Sequence, residues 1–332
     1  MQIDFVLPWV DGNDPAWRAE KAQYAPDVGG DARDIRFRDW GNLHYWFRGV
    51  ERFAPWVNRV HLITWGHLPE WLNADHPKLN IVRHADYIPP EYLPTFSSHP
   101  IELNIHRIEG LSDRFVYFND DIFLLNPVRE QDFFRRGVPV DSCGLGVAHT
   151  RSLNSTFMHV YVNNTALINR HLNRRACQKL ALRKWLSPKN GRRNLFKTLT
   201  LLPWPYFTGF SYHHLPVAYE KRTFLEIWNA EPDGLDATCR RRFRTNADLS
   251  QLAARSWRLA KGEFMPGPPP GTAFFFRGPN AAAPAANCIR TRASKMICLN
   301  DDAGAFDFEE EKKRILDAFE AILPEPCAFE RR

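Results

Sequence analysis

Asn119, Asp120 and Asp121 stand directly after the apolar run at residues 115–118, and the same order, Asn300-Asp301-Asp302, closes a second apolar run at residues 296–299. Two adjacent carboxylates repel each other unless a cation, a hydrogen-bond donor or solvent compensates them. A divalent metal bridging phosphate oxygens is one such compensation. Acids at the carboxyl end of a buried strand also stand where open α/β sheets bind ligands. A simple turn between two strands uses the same residue types, so the local pattern alone leaves both readings open.

Other groups suited to chemistry lie elsewhere in the chain. Asp11-Gly12 ends the apolar run at residues 3–10. His99, Glu102 and His106 fall at i, i+3 and i+7 of a helical pattern over residues 98–111, which puts them on one face. Their spacing departs from that of His-Glu-x-x-His enzymes, so holding a polar substrate suits them better than ligating zinc, and His106 can also pair with Glu102 at i+4. Arg36, Arg38 and Arg48 surround a second helical pattern, and a histidine pair, His213-His214, precedes Pro216.

The elements that must position these groups follow from apolar periodicity. Residues 3–10, 59–65, 79–83 and 115–118 read as strands, and residues 39–53 and 98–111 as helices, with Asp39 as N-cap of the first. Strands alternating with helices or short crossovers imply a mainly parallel twisted α/β sheet with flanking helices. Residues 15–34 read as a surface excursion, 219–228 as an amphipathic helix, 262–271 as a Pro-rich loop, 272–276 and 296–299 as late strands, and 308–323 as a packing helix. The expected organisation is an α/β part at 1–141, a basic helical part at 142–260 and a return to the sheet at 261–332, together forming one domain.

A chain of 332 residues with 44% hydrophobic and 25% charged residues is ordinary for a globular protein, but 24 Phe and 11 Trp are many, and some of these suit stacking on sugars or bases. The net charge of +6 favours anionic partners. Much of that charge sits in residues 142–219, which contain no Asp or Glu, so a polyanion, nucleic acid included, or an anionic membrane surface is a fitting partner. Six cysteines without a CxxC pair offer neither a zinc ribbon nor a disulfide framework. Together with the lack of a leader or an 18-residue apolar run, they predict free thiols in the cytoplasm.

Four blocks carry a family resemblance. They are Ile3-Asp-Phe-Val-Leu-Pro-Trp-Val-Asp-Gly12; the long stretch from Arg36-Phe-Arg-Asp39 through Leu93-Pro-Thr-Phe-Ser-Ser98 to Phe118-Asn-Asp-Asp121; His214-Leu-Pro216 with Arg244; and Lys295-Met-Ile-Cys-Leu-Asn-Asp301. In this order the chain resembles the Stealth family of sugar-phosphate transferases, which includes bacterial capsular polysaccharide phosphotransferases and the animal N-acetylglucosamine-1-phosphotransferase. Leu7-Pro8 and Trp65-Gly66-His67 depart from the common pattern, which bears on donor or acceptor identity rather than on the reaction.

The resemblance implies a GT-A-like nucleotide-sugar transferase fold with the basic part as an insertion. It implies transfer of a hexose 1-phosphate from a UDP-sugar to an acceptor hydroxyl of a capsular or other cell-surface polysaccharide, with UMP released. Such chemistry needs a divalent cation, Mg²⁺ or Mn²⁺, for which Asp121, Asn300 and Asp301 are the expected ligands. Arg244, Arg48 and Arg107 are the guanidinium candidates for phosphate. His214 or Asp120 would take the acceptor's proton, the imidazole having the better pKa for neutral operation. Asp11, Gly12, Asn119, His99, Glu102 and His106 complete the expected substrate contacts, with a glycan acceptor, itself anionic in some cases, rather than nucleic acid, and peripheral membrane association as further expectations. Two rivals remain at this level. A metal-dependent glycosyltransferase would release UDP, and a polyanion-binding protein would turn nothing over.

Overall fold

The apolar runs form the strands expected of them. The computed structural model describes residues 2–25, 37–149, 155–269, 271–301 and 306–331. Its strands are β1 (Asp4–Pro8), β2 (Val60–Thr64), β3 (Leu79–Arg83), β4 (Arg114–Tyr117), β5 (Ile122–Leu124), β6 (Phe134–Arg135), β7 (Val138–Asp141), β8 (Val217–Glu220), β9 (Met265–Pro266), β10 (Thr272–Phe276) and β11 (Met296–Asp301). The main sheet has the order β3-β2-β1-β4-β8, parallel except for β8, which runs antiparallel to β4. The fold is therefore α/β with a mainly parallel sheet and flanking helices.

Alternation splits the sheet's side chains between two cores. Phe5, Leu7, Val116 and Phe118 face the Leu43–Phe53 and Phe308–Glu320 helices, while Val6, Phe115 and Tyr117 face the Lys221–Ala230 and Leu252–Lys261 helices. A sheet covered on both faces needs mostly apolar strands, and the buried titratable exceptions on β1 and β2, Asp4 and His61, pair with each other at 3.0 Å.

From β1 the chain proceeds to β2 and β3 on one side, then returns to place β4 on the other. The carboxyl ends of β1 and β4 thus meet where the strand order reverses, the usual ligand crevice of open α/β sheets. Only four residues separate β4 from β5, which belongs to a second sheet, β10-β11-β5. Residues 119–121 therefore bridge two sheets.

The basic helices Thr156–His171, Arg174–Trp185 and Arg192–Leu201 lie outside the main sheet, and the buried Leu252–Lys261 helix packs against the first two. Asp141, at the end of β7, fixes this packing by accepting from Arg255 and Arg258 (2.8 and 2.7 Å).

Several expected boundaries change. The excursion at 15–34 starts with a helix, Pro15–Tyr24, capped by Asp14, whose Oδ1 accepts from Trp17 N at 2.7 Å. The helix expected from Asp39 begins at Leu43 with Asn42 at its cap position. The 98–111 helix stops at Leu103, because the Asn104 amide donates to the Pro100 carbonyl and the chain turns tightly through Ile105–Arg107. Residues 217–220 are strand before the Lys221–Ala230 helix begins, and β9 lies within the Pro-rich stretch at 262–271, pairing with β7. Arg36 and Asp302 lie outside the described residues.

Candidate active site

Strand pairing brings three separate segments together. β11 runs antiparallel to β5 with Cys298 opposite Ile122, and Leu299 N donates to the Asp121 carbonyl at 2.8 Å. Asn300 is thereby carried to the turn at 119–121. β8 pairs with β4 so that Val217 lies opposite Tyr117. The residues just before β8, His214 among them, therefore lie beside those just after β4.

The side chains interlock accordingly. Asn119 Nδ2 lies 2.8 Å from His214 Nε2. Asn300 Nδ2 lies 3.2 Å from His214 Nδ1 and 3.3 Å from Asp121 Oδ2. A carboxylate only accepts, so the NH₂ end of Asn300 must face it, and His214 Nδ1 is then an acceptor. A neutral His214 consequently carries its proton on Nε2, 3.7 Å from Asp121 Oδ2, so the Asn119 amide must turn its oxygen rather than its NH₂ to the ring.

Asp121 marks the candidate cation site. Its Oδ1 is buried without a hydrogen-bond partner among the described residues, while Oδ2 accepts from Asn300 and from the Cys298 thiol at 3.4 Å. A buried carboxylate oxygen left unpaired is costly, and a divalent ion removes the cost. Asp121, His214 and Cys298 present ligand atoms within 4.8 Å of one another. Burial and the neighbouring Asp121 charge push the Cys298 thiol far up, so it stays protonated and serves Asp121 as a donor. The donor set thus suits an oxygen-seeking cation better than a thiolate-bound one.

Asp120 is exposed on the turn after β4, and its pKa is raised to about 7. The protein packed around the turn disfavours its charged form, and Asp121 and Asp39 repel a second charge, against the pull of Arg244. Arg244 Nη2 donates to Ser98 Oγ at 2.7 Å. Its loop is held by Phe243, which stacks on Phe96 with centroids 5.3 Å apart, and by Phe96 N donating to the Arg242 carbonyl. Asp301 meets Arg38 Nη1 at 3.4 Å. At the end of β1, Asp11 N donates to His67 Nε2 at 2.7 Å. Only glycine fits next, because a Cβ on Gly12 would come 2.1 Å from the Phe37 carbonyl oxygen.

The remaining expected residues disperse. His99 Nδ1 contacts Asp248 at 3.0 Å, and Glu102 accepts from the Tyr117 hydroxyl at 3.0 Å instead of pairing with His106. His106 stacks on Phe224, and burial followed by the Arg107 charge lowers its pKa to about 4; Arg107 lies over Trp228 and donates to Asn104. Both serve packing against the Lys221–Ala230 helix, because the break at Asn104 removes the shared face. Arg48 is spent on the C-terminal segment. It forks onto Glu330 at 2.7 and 2.8 Å and donates to the Leu323 carbonyl, away from Asn119, Asp121 and Asn300. Cys298 and Ser98 were not expected in the site. The two-residue alternation from Asn300 back to Cys298 on one strand was the signal for the thiol.

Acids, amides and a guanidinium at the sheet's carboxyl edge suit phosphate chemistry, and comparison with known proteins shows an α/β enzyme of the phosphotransferase class. Models of Stealth conserved regions 1, 2 and 4 match residues 1–29, 36–140 and 287–332. The capsular polysaccharide phosphotransferase WcwK of Streptococcus pneumoniae is 36% identical over all of this chain and 98% of its own length. The receptor polysaccharide phosphotransferase WefC of Streptococcus gordonii is 36% identical, covering 99% of each chain, and the exopolysaccharide phosphotransferase cps2G of Lactiplantibacillus plantarum is 36% identical over 99% of this chain and 96% of its own. The chain belongs to the Stealth family. Among solved structures, the galactosyltransferase LgtC aligns over 95% of both chains at 9% identity and a TM-score of 0.34, and mouse xyloside xylosyltransferase 1 over 90% of this chain and 98% of its own at 10% and 0.37.

Among the described residues no helix is long and apolar enough to cross a membrane, and the six cysteines are free thiols.

Proposed function

We propose that this enzyme transfers a hexose 1-phosphate from a UDP-sugar to a hydroxyl of a growing cell-surface polysaccharide and releases UMP. One observation carries the proposal: Asp121, Asn300 and His214, from three distant segments, interlock at the sheet's carboxyl edge around a buried carboxylate oxygen that lacks a partner among the described residues. That arrangement suits a phosphate-bound cation. The polysaccharide relatives supply the substrate class.

Asp121 and Asp301, with Asn300 beside them, would hold Mg²⁺ or Mn²⁺, which supplies positive charge to the phosphoryl oxygens. The acceptor oxygen forms a bond to the phosphorus that carries the sugar, and the bond from that phosphorus to the bridging oxygen breaks, leaving on UMP. Arg244 and Arg38 supply cationic donors for the phosphoryl charge. Asp120, exposed on the turn after β4, takes the hydroxyl proton. His214, engaged at both nitrogens, fixes Asn119 and Asp121 rather than serving as the free base. The Asp11-Gly12 turn faces the nucleotide at the end of β1.

Incubation with a panel of UDP-sugars and identification of the released nucleotide tests the proposal. UMP supports it, UDP identifies a glycosyltransferase instead, and binding of anionic polymers with no nucleotide release on any donor and acceptor pair points to a non-enzymatic role.

A further inference from the structure

Many cations left over from the active site gather on one insertion, and among the described residues several of them lack counter-ions. Residues 142–219 contain no acid. Among the described residues, the side chains of Lys179, Arg183, Lys189, Arg192 and Arg193 make no hydrogen bond or ion pair. Charge alone would suit any polyanion.

The apolar residues between these cations narrow the choice. In the Arg192–Leu201 helix, polar side chains face inward: Asn194 Nδ2 donates to Ser142 Oγ at 2.8 Å, and Thr198 Oγ1 accepts from Leu145 N at 3.1 Å. Arg192, Phe196 and Leu199, at i, i+4 and i+7, are left on the outer face. Phe196 is 69% exposed and Leu199 50%, and the chain runs on to Trp204 at 57% and Tyr206 at 65%. Arg175 Nη2 donates to the Pro203 carbonyl at 3.2 Å, which brings the neighbouring basic helix against the same edge. A helix with its polar side inward and aromatic side outward, fringed by arginines, has the composition of an interfacial segment.

We propose that this outer face docks on an anionic lipid surface, with Phe196, Leu199 and Trp204 entering the boundary between headgroups and acyl chains and Arg192 and Arg193 meeting lipid phosphates. Tyr and Trp side chains suit that boundary because one end is apolar and the other polar. A soluble polyanion would use the arginines but leave Phe196, Leu199 and Trp204 in water. A bilayer uses both sets. The inference employs none of the active-site residues and does not depend on the proposed reaction.

Co-sedimentation with vesicles of phosphatidylcholine alone, and of phosphatidylcholine with phosphatidylglycerol, tests it. The unaltered chain is expected on the anionic vesicles only, more weakly in high salt. Phe196→Ser/Trp204→Ser and Arg192→Glu/Arg193→Glu are each expected to lose at least about tenfold in partitioning, while their thermal unfolding stays that of the parent. Phe196→Ser alone carries the test if a double variant does not fold. The proposal is overturned by an unaltered chain that ignores anionic vesicles or binds both kinds equally. It is also overturned by apolar variants that bind as well as the parent; displacement by soluble polyphosphate would then assign the face to a soluble polyanion.

Discussion

Asn300 stands against His214, its Nδ2 3.2 Å from the ring's Nδ1, and the same nitrogen lies 3.3 Å from Asp121 Oδ2. One amide therefore fixes both the tautomer of the imidazole and the orientation of the carboxylate whose other oxygen has no partner among the described residues. Asn300→Ala releases both. Loss of such a supporting partner costs about 10- to 100-fold in metal affinity or activity, so nucleotide release by this variant should need more added Mg²⁺ and reach a lower maximum. An unchanged metal titration would remove Asn300 from the cation site.

Asp120 and His214 are separated by what surrounds them, since the carboxylate is on an exposed residue while both imidazole nitrogens face amides. Removing a general base costs about 10²- to 10⁴-fold. Asp120→Asn should therefore lose activity on that scale with donor binding retained. His214→Gln, which keeps a polar group between Asn119 and Asn300, should retain more turnover than Asp120→Asn. The reverse ranking in steady-state kinetics would return the proton to His214.

How far the site was readable depended on how local its determinants are. Asn119–Asp121 and Asn300-Asp301 were legible because each follows an unbroken apolar strand, and strand pairing then had few ways to bring the strand ends together. Side-chain partners across long separations were not legible. Nothing near Arg48 announces Glu330, 282 positions away. Nor did local pattern show that Asn104 would turn its amide onto Pro100 and end a helix whose apolar residues continue through Ile105 and Ile108. β8 was hidden because four residues pass directly into the Lys221–Ala230 helix without a Gly or Pro between them.

Arg48 and Arg244 give the sharpest contrast between a guanidinium tied to the C-terminal segment and one proposed to meet phosphate. Arg48→Ala leaves Glu330 and two backbone carbonyls without their donor, which should lower the unfolding midpoint by a few degrees while kcat/KM below that midpoint is kept. Arg244→Ala should do the opposite, with near-parental unfolding and a loss of about 10²- to 10³-fold in turnover, the usual scale for one stabilising donor. Thermal unfolding and nucleotide release measured on the same preparations decide the assignment.

The Asp141 network sets an acid limit on stability. Burial alone would raise this carboxyl, but Arg255, His213 and Arg258 pull it well below the ordinary carboxylate range. A carboxylate whose folded pKa is depressed contributes stability above its unfolded value of about 4, and that contribution fades as pH falls toward the folded pKa. Urea unfolding of the parent should therefore show stability dropping below about pH 4, in part through this group. Asp141→Asn leaves Arg255 and Arg258 buried beside a neutral amide, which should cost about 3–5 kcal/mol at neutral pH. Its stability should also depend less on pH between about 2 and 4, since the titrating partner is gone. An equal acid slope in parent and variant would place the acid sensitivity elsewhere, whatever the variant loses at neutral pH.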